Sequence, residues 1–176
     1  ATFAMSEALT IILKRNDPSA IAKQVSLTEL GSIKINKEER AQMLKAIPRN
    51  SVIGFLIGVL PGAGATIASF LAYGMERNFV SDEEKAKFGK GSVHGLTAPE
   101  TANNAACSGA FVPLLTLGIP GSGTTAVMLG ALLGFGIQPG PRLYITNPEI
   151  FWSVIMSMYI GMIILLILNL PLIPYI

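Results

Sequence analysis

Two apolar stretches of this chain are interrupted at the same motif, Leu60-Pro61-Gly62-Ala63-Gly64-Ala65-Thr66 and Ile119-Pro120-Gly121-Ser122-Gly123-Thr124-Thr125. Both copies read Pro-Gly-x-Gly-x-Thr, and their prolines stand 59 positions apart. Proline removes a backbone donor, and glycine is a poor helix residue, so each copy predicts a break in a helix. In a bilayer, broken backbone is tolerated only where it is buried in protein or lines a cavity. Gly/Pro-interrupted hydrophobic segments in corresponding positions are the pattern of a secondary transporter's substrate site.

The charge distribution says which solvent the breaks face. The chain is 51% hydrophobic and 14% charged, against about 25% charged residues in soluble domains, and its mean hydropathy is +0.54. No charged residue occurs between Arg49 and Glu76, between Glu100 and Arg142, or after Glu149. A span needs about 20 apolar residues, so each gap accommodates a span or a re-entrant pair. The fold expected is an all-α membrane protein, with transmembrane helices and two broken, re-entrant helix units of an inverted-repeat transporter.

Residues 1–14 read as the end of a transmembrane helix and 15–49 as a polar loop. Residues 50–76 form the first broken-helix unit, 77–97 a second polar loop and 98–141 the second broken-helix unit. A loop over 142–149 then leads to a transmembrane helix over 150–174. Eight of the thirteen basic residues fall between Lys14 and Arg49, which by the positive-inside rule makes that loop cytoplasmic. Within these stretches Asn36 precedes acids at a helix start, and Ser81 with Glu84 has capping-box spacing. Gln138-Pro139-Gly140-Pro141 is a turn signal. Neither end carries a natural start or stop pattern, so the chain reads as part of a longer polypeptide.

A broken helix leaves the amides of its second half unpaired, at the positive end of the helix dipole. Such an end suits carboxylate or phosphate, while the carbonyls of the first half suit a cation. The expected substrate-binding residues are therefore Gly62, Ala63, Gly64, Ala65 and Thr66 in the first copy, and Gly121, Ser122, Gly123, Thr124 and Thr125 in the second. Their bland alternative is a hinge or a tight helix contact. Asn103 and Asn104, in Pro99-Glu100-Thr101-Ala102-Asn103-Asn104, place two carboxamides in an apolar setting, where polar groups face a cavity or a partner helix. They join the substrate site, and Glu100, Asn103, Asn104 and Ser122 are the ion-coupling candidates.

Nothing here points to an enzyme or to nucleic acid. The formal charge is only +2. His94 has no Cys or carboxylate at ligand spacing, so no metal site beyond a coupling Na⁺ is expected. Phosphate-loop, dinucleotide and nucleophile-elbow patterns are all missing. Cys107 is the lone cysteine and has no intrachain partner.

These residues together resemble the large membrane subunit of the tripartite tricarboxylate transporters. The matching stretches are Gly58-Val59-Leu60-Pro61-Gly62-Ala63-Gly64-Ala65, Phe88-Gly89-Lys90-Gly91, Ala98-Pro99-Glu100-Thr101-Ala102-Asn103-Asn104-Ala105, Leu117-Gly118-Ile119-Pro120-Gly121-Ser122, Gln138-Pro139-Gly140-Pro141 and Asn169-Leu170-Pro171-Leu172. The chain would then be most of the second of two related halves. The resemblance implies a multi-pass permease of the bacterial inner membrane, a binding-protein-dependent secondary transporter. It would import di- or tricarboxylates such as citrate by alternating access, in symport with Na⁺ or H⁺ and with no other cofactor. Its partners would be a small membrane subunit and a periplasmic substrate-binding protein. The competing reading is an ion channel or membrane scaffold in which the breaks serve gating or packing. His94 departs from the family pattern, where an acidic residue is expected, and Gly123-Thr124-Thr125 is more polar than expected.

Overall fold

A computed structural model describes residues 35–172, and no strand occurs among them. Eight helices follow one another: α1 (Lys37–Val59), α2 (Gly64–Phe79), α3 (Asp82–Lys85), α4 (Val93–Gly109), α5 (Phe111–Leu117), α6 (Gly123–Gly134), α7 (Leu143–Thr146) and α8 (Pro148–Leu172). They belong to one unit that begins at Lys37. The expected transmembrane tail over 1–14, most of the loop that follows it, and residues 173–174 lie outside the described residues.

The core is a three-helix packing of α1, α2 and α4, made from side chains so small that the backbones of α1 and α4 touch. Each helix buries one residue in every four: Ala46, Asn50, Gly54 and Gly58 on α1; Ala68, Ala72 and Glu76 on α2; His94, Ala98, Ala102 and Ala106 on α4. A spacing of four lines these residues along a single ridge. A Cβ added at Gly54 would lie 2.3 Å from the Ala102 carbonyl oxygen, and one at Gly58 would lie 2.3 Å from that of Ala106. A Cβ at Gly109 would likewise lie 2.4 Å from the Phe55 carbonyl oxygen. Only glycine permits such contacts, which are how helices associate where lipid leaves no hydrophobic drive between them. Ser69 adds a polar link, donating from Oγ to the carbonyls of Ala65 at 3.0 Å and Pro99 at 3.2 Å.

Several boundaries differ from those expected. The polar loop expected up to Arg49 is helical from Lys37 and continues unbroken through Pro48. Glu38 and Glu39 in its first turn favour the positive end of the helix dipole. Composition marked the change of solvent at Arg49, and the helix crosses that change. The second polar loop holds α3, which Ser81 caps by accepting from the Glu84 amide at 3.5 Å. It ends at Val93 rather than Ala98, because Ser92 Oγ accepts from the Gly95 amide at 3.0 Å and starts α4 there. The loop between is fastened to α2 by an edge-on contact of Phe88 with Tyr73, ring centroids 5.2 Å apart.

The last helix, α8, is the one described helix long and apolar enough to cross a membrane. None of its residues is buried. By length and composition, its 25 residues at a mean hydropathy of 2.4 satisfy what a span needs.

Candidate functional site

Both motif copies start a helix at the same place, Gly64 and Gly123, which makes Ala63 and Ser122 the equivalent N-cap positions. The two copies then part company. Ser122 forms a capping box: its Oγ accepts from the Thr125 amide at 3.2 Å, and Thr125 Oγ1 accepts from the Ser122 amide at 2.8 Å. Thr125 is buried, and its hydroxyl donates back to the Ser122 carbonyl at 2.9 Å. Alanine at position 63 offers no acceptor, so α2 starts with no side-chain cap, and Thr66 is exposed. The first copy thus keeps open the amide donors that the second partly satisfies for itself.

The second break is also the more tightly built. Gly118 takes φ 71° to end α5, and its amide donates to the Leu114 carbonyl at 3.0 Å. The expected turn at Gln138–Pro141 locks this cap: the Gly140 amide donates to the Leu115 carbonyl at 3.2 Å. Gly121 is pressed against Ala110 and the Gly58 carbonyl, its would-be Cβ lying 3.1 and 3.3 Å from them. The second motif therefore rests on the end of α1 that leads into the first. At Gly62 and Gly64, with φ 83° and 67°, an added Cβ would meet nothing within 4 Å, so the first loop has open space beside it.

The asparagine pair is placed differently. Asn103 and Asn104 are exposed, and their described bonds stay within α4. Asn104 Nδ2 donates to the Glu100 carbonyl at 2.9 Å, and Cys107 Sγ lies 3.8 Å from Asn103 Oδ1. Among the described contacts none ties either residue, or exposed Glu100, to a break. Asn104 lines a groove of about 680 Å³ between α1, α4 and α8, with Ser51, Thr101 and Ser108 on its polar side and Asn169 opposite. Asn103 is not part of it.

The strongest polar cluster lies elsewhere. Glu76 is fully buried where the three small-residue ridges end. Its Oε2 accepts from Arg49 Nε at 3.0 Å and from Asn50 Nδ2 at 2.8 Å. Its Oε1 accepts from a second Arg49 nitrogen and from His94 Nδ1 at 2.7 Å. Arg49 also covers the Phe79 ring, 4.4 Å from its centroid. His94 has no carboxylate at ligand spacing in the sequence, yet folding brings it one from 18 positions away. No group of three metal-ligating His, Cys, Asp or Glu side chains occurs among the described residues.

Comparison with known proteins agrees with the resemblance. The model of the tripartite tricarboxylate transporter TctA family matches residues 1–176. An uncharacterized 52.8 kDa protein from the TAR-I ttuC′ 3′ region of Agrobacterium vitis is 40% identical over 159 residues, which is 90% of this chain and 31% of that protein. A second uncharacterized protein, from the TAR-II ttuC′ 3′ region of the same organism, is 49% identical over 120 residues, 68% of this chain and 49% of its own length. The chain thus spans less than half of either relative. No solved structure matches it.

Proposed function

The chain belongs to the tripartite tricarboxylate transporter TctA family, and on that basis we propose that it forms part of the permease of an ion-coupled di- or tricarboxylate importer. The observation that carries this reading beyond family membership is the uncapped start of α2 at Gly64, facing an open Pro61-Gly62-Ala63 loop. Unpaired amides at a helix N-terminus bind carboxylate without needing a basic side chain. Gly62, Ala63, Gly64, Ala65 and Thr66 then contact substrate directly. The loop Gly121-Ser122-Gly123-Thr124-Thr125, stiffened by its capping box, braces the end of α1 and presents Gly123 and Thr124. Asn104, in the groove beside α8, lines the approach, and Asn103 and Glu100 are exposed positions for an ion or a partner subunit.

Alternating access moves the two broken units relative to each other, with Na⁺ or H⁺ as the coupling ion. A small membrane subunit and a periplasmic binding protein complete the system in the bacterial inner membrane. The test uses the permease containing this segment, reconstituted with its small subunit, and binding protein loaded with radiolabelled citrate. Accumulation under an inward Na⁺ or H⁺ gradient, with counterflow of labelled against unlabelled substrate, is expected. Equilibration without accumulation would instead identify a channel. Asn104→Ala should lower uptake several-fold with normal membrane insertion; wild-type uptake would remove the groove from the pathway.

A further inference from the structure

We propose that Glu76 and His94, held by Arg49 and Asn50, form a proton-binding site that couples transport to pH; this rests on the importer reading above. The site is separate from both Pro-Gly loops. At a rise of 1.5 Å per residue, Asn50 lies about 12 Å along α1 from Gly58, and Glu76 about 18 Å along α2 from Gly64. It is built from one residue or pair on each of the three core helices, so whatever happens to it is felt by all three.

Hydrogen-bond capacity identifies the ligand as a proton rather than a metal ion. An ionised carboxylate has about four acceptor directions, and Glu76 receives four donors: two from Arg49, one from Asn50 and one from His94. No carboxylate lone pair is left for a cation, and the guanidinium already supplies the balancing charge. His94 Nδ1 faces a carboxylate oxygen at 2.7 Å, so that nitrogen carries hydrogen and, in the neutral ring, Nε2 keeps a free lone pair. The imidazole side chain retains 9% exposure against none for Glu76, which leaves water a route to the ring. Acceptors also outnumber donors here. Asn50 Nδ2 is committed to the Ala46 carbonyl at 2.8 Å and to Glu76, and this fixes the amide so that its buried Oδ1 has no donor.

The charged groups that touch the ring and its carboxylate are Arg49 from α1 and Glu76 from α2; the neighbouring turn of α4 carries none. With a neutral ring the charges of Glu76 and Arg49 cancel. A proton taken up from water onto Nε2 leaves imidazolium beside the carboxylate and gives the cluster a net charge of +1. No other bond forms or breaks. Because α1 and α4 touch backbone to backbone along the ridges that end here, and Ala68 and Ala72 of α2 pack against Ala102 and Ala106 of α4, a change in how Glu76 divides itself between Arg49 and His94 passes to the breaks as a shift of rigid helices.

The test again uses the reconstituted permease, first measuring counterflow of labelled citrate. Uptake is then followed across a pH series, and under an inside-alkaline gradient with and without Na⁺, for wild type, His94→Gln and, as a control in the exposed loop, Lys90→Ala. The expected result is pH-gradient-driven uptake in wild type and K90A, at least ten-fold lower in H94Q with a flattened pH profile. A merely structural histidine would scale uptake equally at every pH, and a wild-type-shaped profile in H94Q overturns the proposal while leaving the importer reading intact. Wild-type counterflow without any pH-gradient effect overturns it too. No counterflow in wild type removes both. Nitrogen-15 histidine resonances of the wild type need no variant to fold: His94 must hold Nδ1–H throughout and gain Nε2–H over the pH range where uptake changes. A ring that stays neutral there refutes the site.

Discussion

Adding one methyl group to α1 tests the whole account of how this fold is held together. In Gly54→Ala the new Cβ would stand 2.3 Å from the Ala102 carbonyl oxygen and 2.5 Å from its Cα, where ordinary contact begins at 3.4 Å. The obstacle is backbone on both counts, so no rotamer change relieves it, and α1 and α4 must separate by roughly 1 Å. A gap of that size forfeits a quarter to a half of the dispersion between the facing atoms. It also removes close glycine Cα–H contacts to carbonyl oxygen, each worth about 0.5–1 kcal/mol. Together with the usual cost of overpacking, about 1–3 kcal/mol, the expected loss is about 2–4 kcal/mol. Gly74→Ala is the control, since a Cβ there meets nothing within 4 Å and helix propensity alone should stabilise it by up to about 1 kcal/mol. The assay is denaturant-titrated unfolding in bicelles, followed by helical circular dichroism. If G54A and G74A unfold at the same denaturant concentration, backbone contact between α1 and α4 is not what holds the core.

The buried ion pair should respond asymmetrically. Glu76→Gln strands the Arg49 guanidinium and should cost about 3 kcal/mol, the low end for a broken buried pair because the Arg49 side chain is 32% exposed. Replacing both charges in R49M/E76M should recover most of that loss in the same unfolding assay. Ser122→Ala removes the cap of α6 and should cost about 1 kcal/mol, read as faster hydrogen exchange at the Thr125 amide. In the polar loop, the hydrogen bond and charge of Lys85 hold the Asp82 carboxyl below its ordinary value of 3.8. A lowered folded value means that its contribution to α3 is present above pH 3.8 and is lost as pH falls through the folded value. Exchange at the Ala86 amide should quicken there, and Asp82→Asn should abolish that pH response.

The helix starts were legible because their signals are local. The Pro-Gly-x-Gly-x-Thr copies begin helices at equivalent residues, Ser81 caps α3, and α8 begins at Pro148 after Asn147. The start of α1 was legible as well, at Asn36 before Lys37; its continuation past Arg49 was not, because charge reports solvent rather than backbone conformation. The asparagines were harder to place for another reason. Apolar neighbours suggested burial, but the buried face of α4 is Ala98, Ala102 and Ala106. Residues one and two positions beyond Ala102 are turned about 100° and 200° around the helix, away from that face. Likewise the motif's repetition implied two equivalent loops, while the cap position itself, an alanine with helical backbone in one copy and a serine with extended backbone in the other, separates the loop that satisfies its own amides from the one that does not.

A stricter reading of spacing would have found the buried cluster. Every fourth residue from Ala46 gives Ala46, Asn50, Gly54 and Gly58; from Ala68 it gives Ala68, Ala72 and Glu76; from His94 it gives His94, Ala98, Ala102, Ala106 and Ala110. Each series is small except for one polar residue, placed toward the charged loops rather than toward the breaks. Small residues four apart select helix packing close enough for backbone contact, crossing at about −40 to −50°. Three such helices can touch only if their ridges face a shared axis, so a polar residue continuing a ridge must enter that axis. A carboxylate, an imidazole and a carboxamide delivered there must satisfy one another, since an unpaired charge in that place is prohibitive. Arg49, beside Asn50 but off the ridge, is then required to balance Glu76 and is free to reach it from the rim. Ridge periodicity thus constrains the meeting of Glu76, His94 and Asn50 more tightly than any local motif constrains the two loops.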